Sequence, residues 1–280
     1  MIMRLKKFNS CIKYLFKTSL SSVYTYAYII VLPVLFEVFM YIYFIQPYIS
    51  ADRAIVIGPI LFFSMIIPML FVTNIIVTYR ETIFLKQLKN FGVSNLMFLG
   101  TLLLIFLVYA FVALIVSSIL LVILDAATKS NKVIECITTM ISQPSFLVII
   151  INLLLNATVI YLLGVILSGF ISNIYLVQGL SLIILAFLFA SGDYFIDYEF
   201  SQNQYYQGIS YLSIQKYFNW IYYMAYTKSF DGGKRVYLIA YNIGSIIPFK
   251  NVYAPLFSMI CIAPFQGYIS YASFNLSFKK

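Results

Sequence analysis

The chain predicts an all-α, polytopic integral membrane protein, and three observations carry that expectation. Six apolar stretches, at 23–45, 54–78, 95–124, 146–171, 174–190 and 252–271, have the length of membrane spans. A helix rises about 1.5 Å per residue, so ~20 apolar residues cross the ~30 Å hydrocarbon core of a bilayer. The composition is 62% hydrophobic and 10% charged, where a soluble domain carries about 25% charge. Finally, lysine and arginine gather in alternate gaps between the stretches. The expected architecture is a single transmembrane domain, 1–280, of six transmembrane helices. It has an N-terminal amphipathic helix and short outer re-entrant or interfacial helices before the last span.

The segment 1–22 opens the chain. Leu5, Phe8, Ile12, Leu15, Phe16 and Ser19 fall on one helical face, with Lys6, Lys13 and Lys17 elsewhere on the wheel. Such a helix lies in the cytoplasmic interface with its lysines toward lipid headgroups. It is read equally as a membrane-anchoring flank or as a packing and coupling element. No small-x-small cleavage site follows the first apolar stretch, so the first helix is expected to be kept. Tyrosines at span ends, among them Tyr24, Tyr43, Tyr48, Tyr79, Tyr175 and Tyr253, suit the bilayer interface.

Counting charges sets the expected orientation. The pieces 1–22, 79–94, 172–173 and the C-terminal tail hold Arg4, Lys6, Lys7, Lys13, Lys17, Arg80, Lys86, Lys89, Lys279 and Lys280 against one acid, Glu81. The remaining gaps hold eight basic residues and seven acids. By the positive-inside rule both termini are cytoplasmic. The net charge of +9 is then attraction to anionic membrane lipid, with no nucleic acid expected as a partner.

The loop 79–94 is the most specific cytoplasmic element. Ile83, Phe84, Leu88 and Phe91 can form an apolar ridge on a short helix of about three turns, flanked by Lys86 and Lys89. Gly92 suits a left-handed stop and Ser94 an N-cap for the next helix. The ridge either fills a partner's groove or lies back on the bilayer.

Within the first span, Glu37 is an acid at membrane depth. That placement costs about 2.5–3.5 kcal/mol on insertion scales, and it reads either as a pathway residue or as a helix contact. Pro33, Pro59 and Pro68 are expected to kink their helices. Gly164-x-x-x-Ser168 with Gly169 permits close helix approach.

The outer segment 191–251 begins with an acidic, aromatic cluster (Asp193, Tyr194, Asp197, Tyr198, Glu199) and contains the single tryptophan, Trp220. Its apolar run 236–249, interrupted by Gly244 and Pro248, is too short to span and is expected to be re-entrant or interfacial.

Chemical groups narrow the function classes. The chain has no histidine, which removes imidazole metal sites and Ser-His-Asp or Cys-His chemistry. Cys11, Cys136 and Cys261 are isolated, and no phosphate-binding GxxxxGK[ST] loop is present. An enzyme is not expected, nor any metal or cofactor on this chain.

Several of these motifs together resemble the membrane subunits of type-2 ATP-binding-cassette (ABC) transporters. They are the basic amphipathic helix, the Pro-containing first span Val31-Leu32-Pro33-Val34-Leu35-Phe36, and Arg80-Glu81 followed by x-x-x-Leu-Lys-x-Leu-x-x-Phe-Gly-Val-Ser. The irregular outer segment and the basic ending Ser277-Phe278-Lys279-Lys280 complete the set. The chain departs from the commonest pattern in lacking an Asn-Pro pair before the last span. The resemblance implies a permease of an exporter whose ATP and Mg are bound by a separate ATPase subunit. A second permease subunit, identical or sister, completes the pathway. It makes 79–94 the coupling loop, with Arg80, Glu81, Ile83, Phe84, Leu88 and Phe91 meeting the ATPase, and it makes Trp220, Gly244 and Pro248 candidates for an outer gate; an aromatic cap without a gate is the other reading. The alternative function is a non-transporting accessory or immunity membrane protein that sequesters a peptide or partner. Fourteen lysines against four arginines, with many Ile, Asn, Tyr and Phe, suggest an AT-rich, bacterial genome.

Overall fold

The structure is a computed structural model that describes residues 2–49, 51–82, 84–194, 203–231 and 248–277. All regular elements among them are helical. Helix α1 (Ile2–Leu20) turns at Ser22 into α2 (Val23–Tyr48). A 3-10 segment, Ala51–Val56, leads into α3 (Ile57–Phe63), and α4 (Met69–Glu81) follows after a break. Then come α5 (Phe84–Asn90), α6 (Asn95–Thr128), α7 (Lys132–Ser142), α8 (Phe146–Phe170) and α9 (Ile174–Ser191). The last three are α10 (Gln204–Ser210), α11 (Ile214–Thr227) and α12 (Tyr253–Ser277).

Among the described residues, four helices are long and apolar enough to cross a membrane: α2, α6, α8 and α9. Their residues divide between a buried face and an exposed apolar one; Leu35, Ile119, Leu147 and Ile183 are all more than half exposed. An apolar surface of this extent is stable in lipid and not in water. The protein is therefore all-helical and membrane-embedded.

The other two expected spans differ in kind. Helix α12 is 25 residues long but carries Pro264 and several serines, which lower its apolar character. The stretch 54–78 is not one helix. It breaks at 64–68, where Met65 and Ile66 donate to carbonyls three residues back, at 3.1 and 2.9 Å, and the Ser64 hydroxyl caps Leu61 at 2.7 Å. Pro68 cannot donate an N–H, so the α ladder cannot run through it. Ser64, Met65, Ile66 and Ile67 are buried, and irregular backbone within a membrane fold is tolerated where protein covers it.

Proline also shapes α2. Two five-residue π turns, Ala27–Val31 and Tyr41–Ile45, each end two residues before a proline, Pro33 and Pro47. A proline ring crowds the carbonyl four residues back, and a wider turn there relieves the clash.

The bundle has two ends. At one, Tyr14 of α1 stacks on Phe84 of α5 at 5.5 Å, and Asn95 at the start of α6 donates to Asn275 near the end of α12 at 2.5 Å. This end gathers the basic pieces, with Lys13 and Lys17 of α1 exposed. At the other, Tyr41 bonds Thr128, and Lys132 donates to the Gln46 carbonyl at 2.8 Å. Asp125 accepts from the first amides of α7, Val133 and Ile134, at 2.9 and 3.2 Å.

Gly169 lies at a close approach between α8 and α12. A methyl group there would meet Ser273 backbone and side chain at 2.6–2.8 Å. The small-residue motif of α8 thus serves a contact within the chain.

Candidate functional site

Two places hold the residues singled out by sequence. The first surrounds the break in the second apolar stretch. Glu37 sits in the α-helical segment Leu32–Met40, between the two π turns of α2. It is fully buried, and neither carboxylate oxygen has a hydrogen-bond partner among the described residues. Beside it Phe36 packs on Phe63 at 4.9 Å and on Phe189 at 5.2 Å. Tyr194 closes the cluster, 5.5 Å from Phe63 and 5.0 Å from Phe189. An aromatic group therefore joins α2, the end of α3 and the end of α9 at the point where the helix is interrupted.

A buried polar group without a partner costs about 1–3 kcal/mol, and more if charged. That cost, beside a broken helix, marks a place suited to a change of packing. No group of three His, Cys, Asp or Glu side chains converges among the described residues.

The second place is the basic end. Arg80 does not point outward. Its guanidinium donates to the Ser168 carbonyl at 2.7 Å and the Ile171 carbonyl at 2.5 Å, so it caps the C-terminus of α8. Burial lowers its pKa, opposed by the neighbouring Glu81. Helix α5 is shorter than the three turns expected, and its ridge is divided. Phe84 packs back on Tyr79 at 4.4 Å and on Tyr14, Leu85 is buried, and Leu88 packs against the core. Glu81 and Phe91 face outward, Phe91 with 72% exposure. Ile83 lies outside the described residues. Two local readings fit the geometry: Gly92 has φ 76°, and Ser94 accepts from the Met97 amide at 3.2 Å.

At the opposite end, Trp220 is fully buried in α11 and donates its indole N–H to Asp193 at 2.7 Å. Asp193 holds φ 55° and pairs with Lys216 at 3.4 Å. Lys216 also donates to Gln207 and Ser210, each at 2.5 Å. Burial pushes the Asp193 carboxyl up and the Lys216 ammonium down, each opposed by the other's charge. Asn219 and Tyr223 bond the carbonyls of Gly192 and Asp193 at 2.6 and 2.9 Å, capping the end of α9. Asn156 and Gln215 exchange amide bonds at 2.7 and 3.1 Å, tying α11 to α8.

The tryptophan singled out as a gate candidate is thus buried and tied to Asp193 at the end of α9. Pro248 accepts from the Tyr211 hydroxyl at 2.9 Å; Gly244 and nearly all of the run 236–249 lie outside the described residues. Sequence reasoning missed Lys216. It is the one charged residue on an aromatic-rich helix, a signal that could have flagged it as buried and paired.

No protein-family model matches this chain, and no curated protein matches it. The class stands on the fold itself: an all-helical, membrane-embedded protein whose buried acid lies beside an interrupted helix.

Proposed function

We propose that this chain is the membrane-spanning permease subunit of an ATP-driven exporter, coupled to a separate ATPase chain that binds ATP and Mg. The observation that carries the reading is the connection at the basic end. A broken, buried helix leads through Arg80 into α5, then directly into the 34-residue α6. A push on α5 is transmitted to α8 through the Arg80 cap and to α1 through the Phe84–Tyr14 stack. The break at 64–68, beside Glu37, is where the two halves of the second stretch can change their angle. All six apolar stretches cross the membrane in this reading, with both termini cytoplasmic, in a bacterial cell membrane. A second permease copy, identical or sister, completes the pathway.

The interface with the ATPase is then carried by Glu81 and Phe91, which face outward, while Arg80, Phe84 and Leu88 stiffen the loop from within. Co-purification with a candidate ATPase, and hydrolysis stimulated by the transported compound, test the proposal. Phe91→Ala reduces both; a Phe91→Ala chain that co-purifies and stimulates like wild type overturns it. Reporter fusions after Asn90 and Lys132 read cytoplasmic and external, respectively; an external reading at Asn90 removes the coupling loop.

The second reading, a non-transporting accessory or immunity protein, is favoured by one observation. Phe84 and Leu88 are already packed against the chain's own body, leaving less apolar surface for a partner.

A further inference from the structure

Helix α10 is amphipathic in the reverse sense to a helix on a water-facing surface. Its inward face is polar. Gln207 and Ser210 are buried, and both accept from the Lys216 ammonium of α11 at 2.5 Å. The Tyr211 ring lies 4.2 Å from the same ammonium. Its outward face is apolar. Tyr205 and Ile209 of α10 and Leu212 in the turn after it follow at steps of four and three, and they are 84, 56 and 76% exposed. Polar atoms are folded inward while large apolar side chains are left outside, an arrangement that water penalises and lipid does not.

The neighbours of this face say what covers it. On one side, the Tyr206 hydroxyl donates to the carbonyl of Ala190 at 2.8 Å. Ala190 ends the exposed stripe of α9 that runs through Leu176, Leu180, Ile183 and Phe187. On the other, the Tyr211 hydroxyl donates to the carbonyl of Pro248 at 2.9 Å, shortly before α12, whose first turns expose Tyr253, Phe257 and Ile260. Helix α10 and its turn are therefore bonded on both sides to segments that lead into exposed apolar stripes. Helix α9 has 18 residues, about 27 Å at 1.5 Å per residue, close to the ~30 Å thickness of bilayer hydrocarbon. Its end at Ala190 thus marks the level where hydrocarbon gives way to headgroups, which is where tyrosines such as Tyr205 concentrate.

We propose that the outward face of α10 is a lipid-contact surface, seated at the hydrocarbon–headgroup boundary of the leaflet opposite the basic end, and that this seat holds α10 as a lid over Lys216. The contact is a property of the single chain and holds whether or not the chain transports.

The test uses the purified protein in nanodiscs of phosphatidylethanolamine and phosphatidylglycerol. Cys261→Ser removes the exposed thiol, and Cys11 and Cys136 are buried. A nitroxide is placed at Ile209→Cys or Leu212→Cys, and at two references, Ile183→Cys on the exposed stripe of α9 and Lys129→Cys in the exposed turn before α7. Collision with oxygen, which dissolves in lipid, is compared with collision with a water-soluble nickel chelate. The expected ratio at 209 and 212 favours oxygen and lies nearer to that at 183 than to that at 129. A ratio like that at 129 puts this face in water. Low collision with both reagents puts protein over it, a second copy being marked by spin–spin broadening. Either result overturns the proposal.

The lid is read separately, through acetylation of Lys216 by a water-soluble N-hydroxysuccinimide ester, with exposed Lys129 and Lys228 as standards. Ile209→Asp with Leu212→Asp is expected to raise the Lys216 rate about tenfold against those standards, because charged side chains leave the lipid boundary. Ile209→Leu with Leu212→Ile keeps the face apolar and leaves the rate unchanged. Equal Lys216 rates in wild type and both variants overturn the lid. The nitroxide ratios do not depend on the aspartate chain folding.

Discussion

Arg80 and Ile171 are joined by a 2.5 Å hydrogen bond from guanidinium to carbonyl, across 91 residues of sequence. The bond places the loop after the second apolar stretch against the turn between α8 and α9. A cation at the carbonyl end of a helix complements the helix dipole as well as its unpaired acceptors. Arg80→Ala is therefore expected to lower unfolding stability by about 1–2 kcal/mol, discounted from the ~1.5–3 kcal/mol of charged hydrogen bonds because the side chain is part-exposed. Arg80→Lys restores less than half, since an ammonium lacks the fork that reaches both carbonyls. Glu81→Gln, at an exposed position, leaves stability unchanged within about 0.5 kcal/mol. Thermal unfolding in detergent ranks the three; equal losses for Arg80→Ala and Glu81→Gln contradict the capping role.

Gly169 and Gly179 separate the cost of close approach from the cost of glycine itself. Gly169→Ala drives a methyl group into the Ser273 backbone, 2.8 Å away, and is expected to destabilise by about 1–3 kcal/mol. Gly179 in α9 has nothing within 4 Å, so Gly179→Ala is expected to stabilise by up to about 1 kcal/mol through helix propensity. Opposite shifts in melting temperature are the checkable result.

Glu37 is the residue whose removal helps the fold. Glu37→Met replaces an unpartnered buried carboxyl with apolar volume and is expected to raise stability by about 1–3 kcal/mol. Glu37→Gln keeps the shape and changes stability less. In a transport assay, a Glu37→Gln chain that expresses normally and retains transport leaves the residue as a helix contact. Loss of transport with normal expression makes it a pathway residue.

The Asp193–Lys216 pair obeys the opposite rule. Lys216→Met alone strands Asp193 inside the protein and is expected to cost about 3–5 kcal/mol. Adding Asp193→Asn removes the stranded charge and recovers part of that loss. A double-mutant cycle on thermal unfolding measures the coupling; simple additivity shows that the pair contributes nothing as a pair.

What the chain fixes by itself is local. The membrane class follows from runs of apolar residues, each of which needs only its own length and composition. The helix stop at Gly92, the cap at Ser94 and the amphipathic α1 depend on residues a few positions apart. Leu15 and Ser19 are buried there and Lys13 and Lys17 exposed, as the wheel requires. Pro33 and Pro68 mark the disturbances in α2 and in the second stretch, because a missing N–H acts on its own turn.

Tertiary structure decided the rest, because those outcomes depend on groups far apart in the chain. Arg80 reads as one of the basic residues of the loop 79–94 until the carbonyls of Ser168 and Ile171 are brought to it. Trp220 reads as an interfacial ring until Asp193 meets its N–H. Phe84 reads as facing a partner's groove or the bilayer until Tyr14 arrives from α1. Periodicity says which side chains share a face, but not which neighbour that face meets. Lipid and protein both accept apolar residues, so an apolar ridge alone does not choose between them. Here the choice was made by hydrogen bonds, ring packing and a glycine contact linking segments some 25 to 180 residues apart.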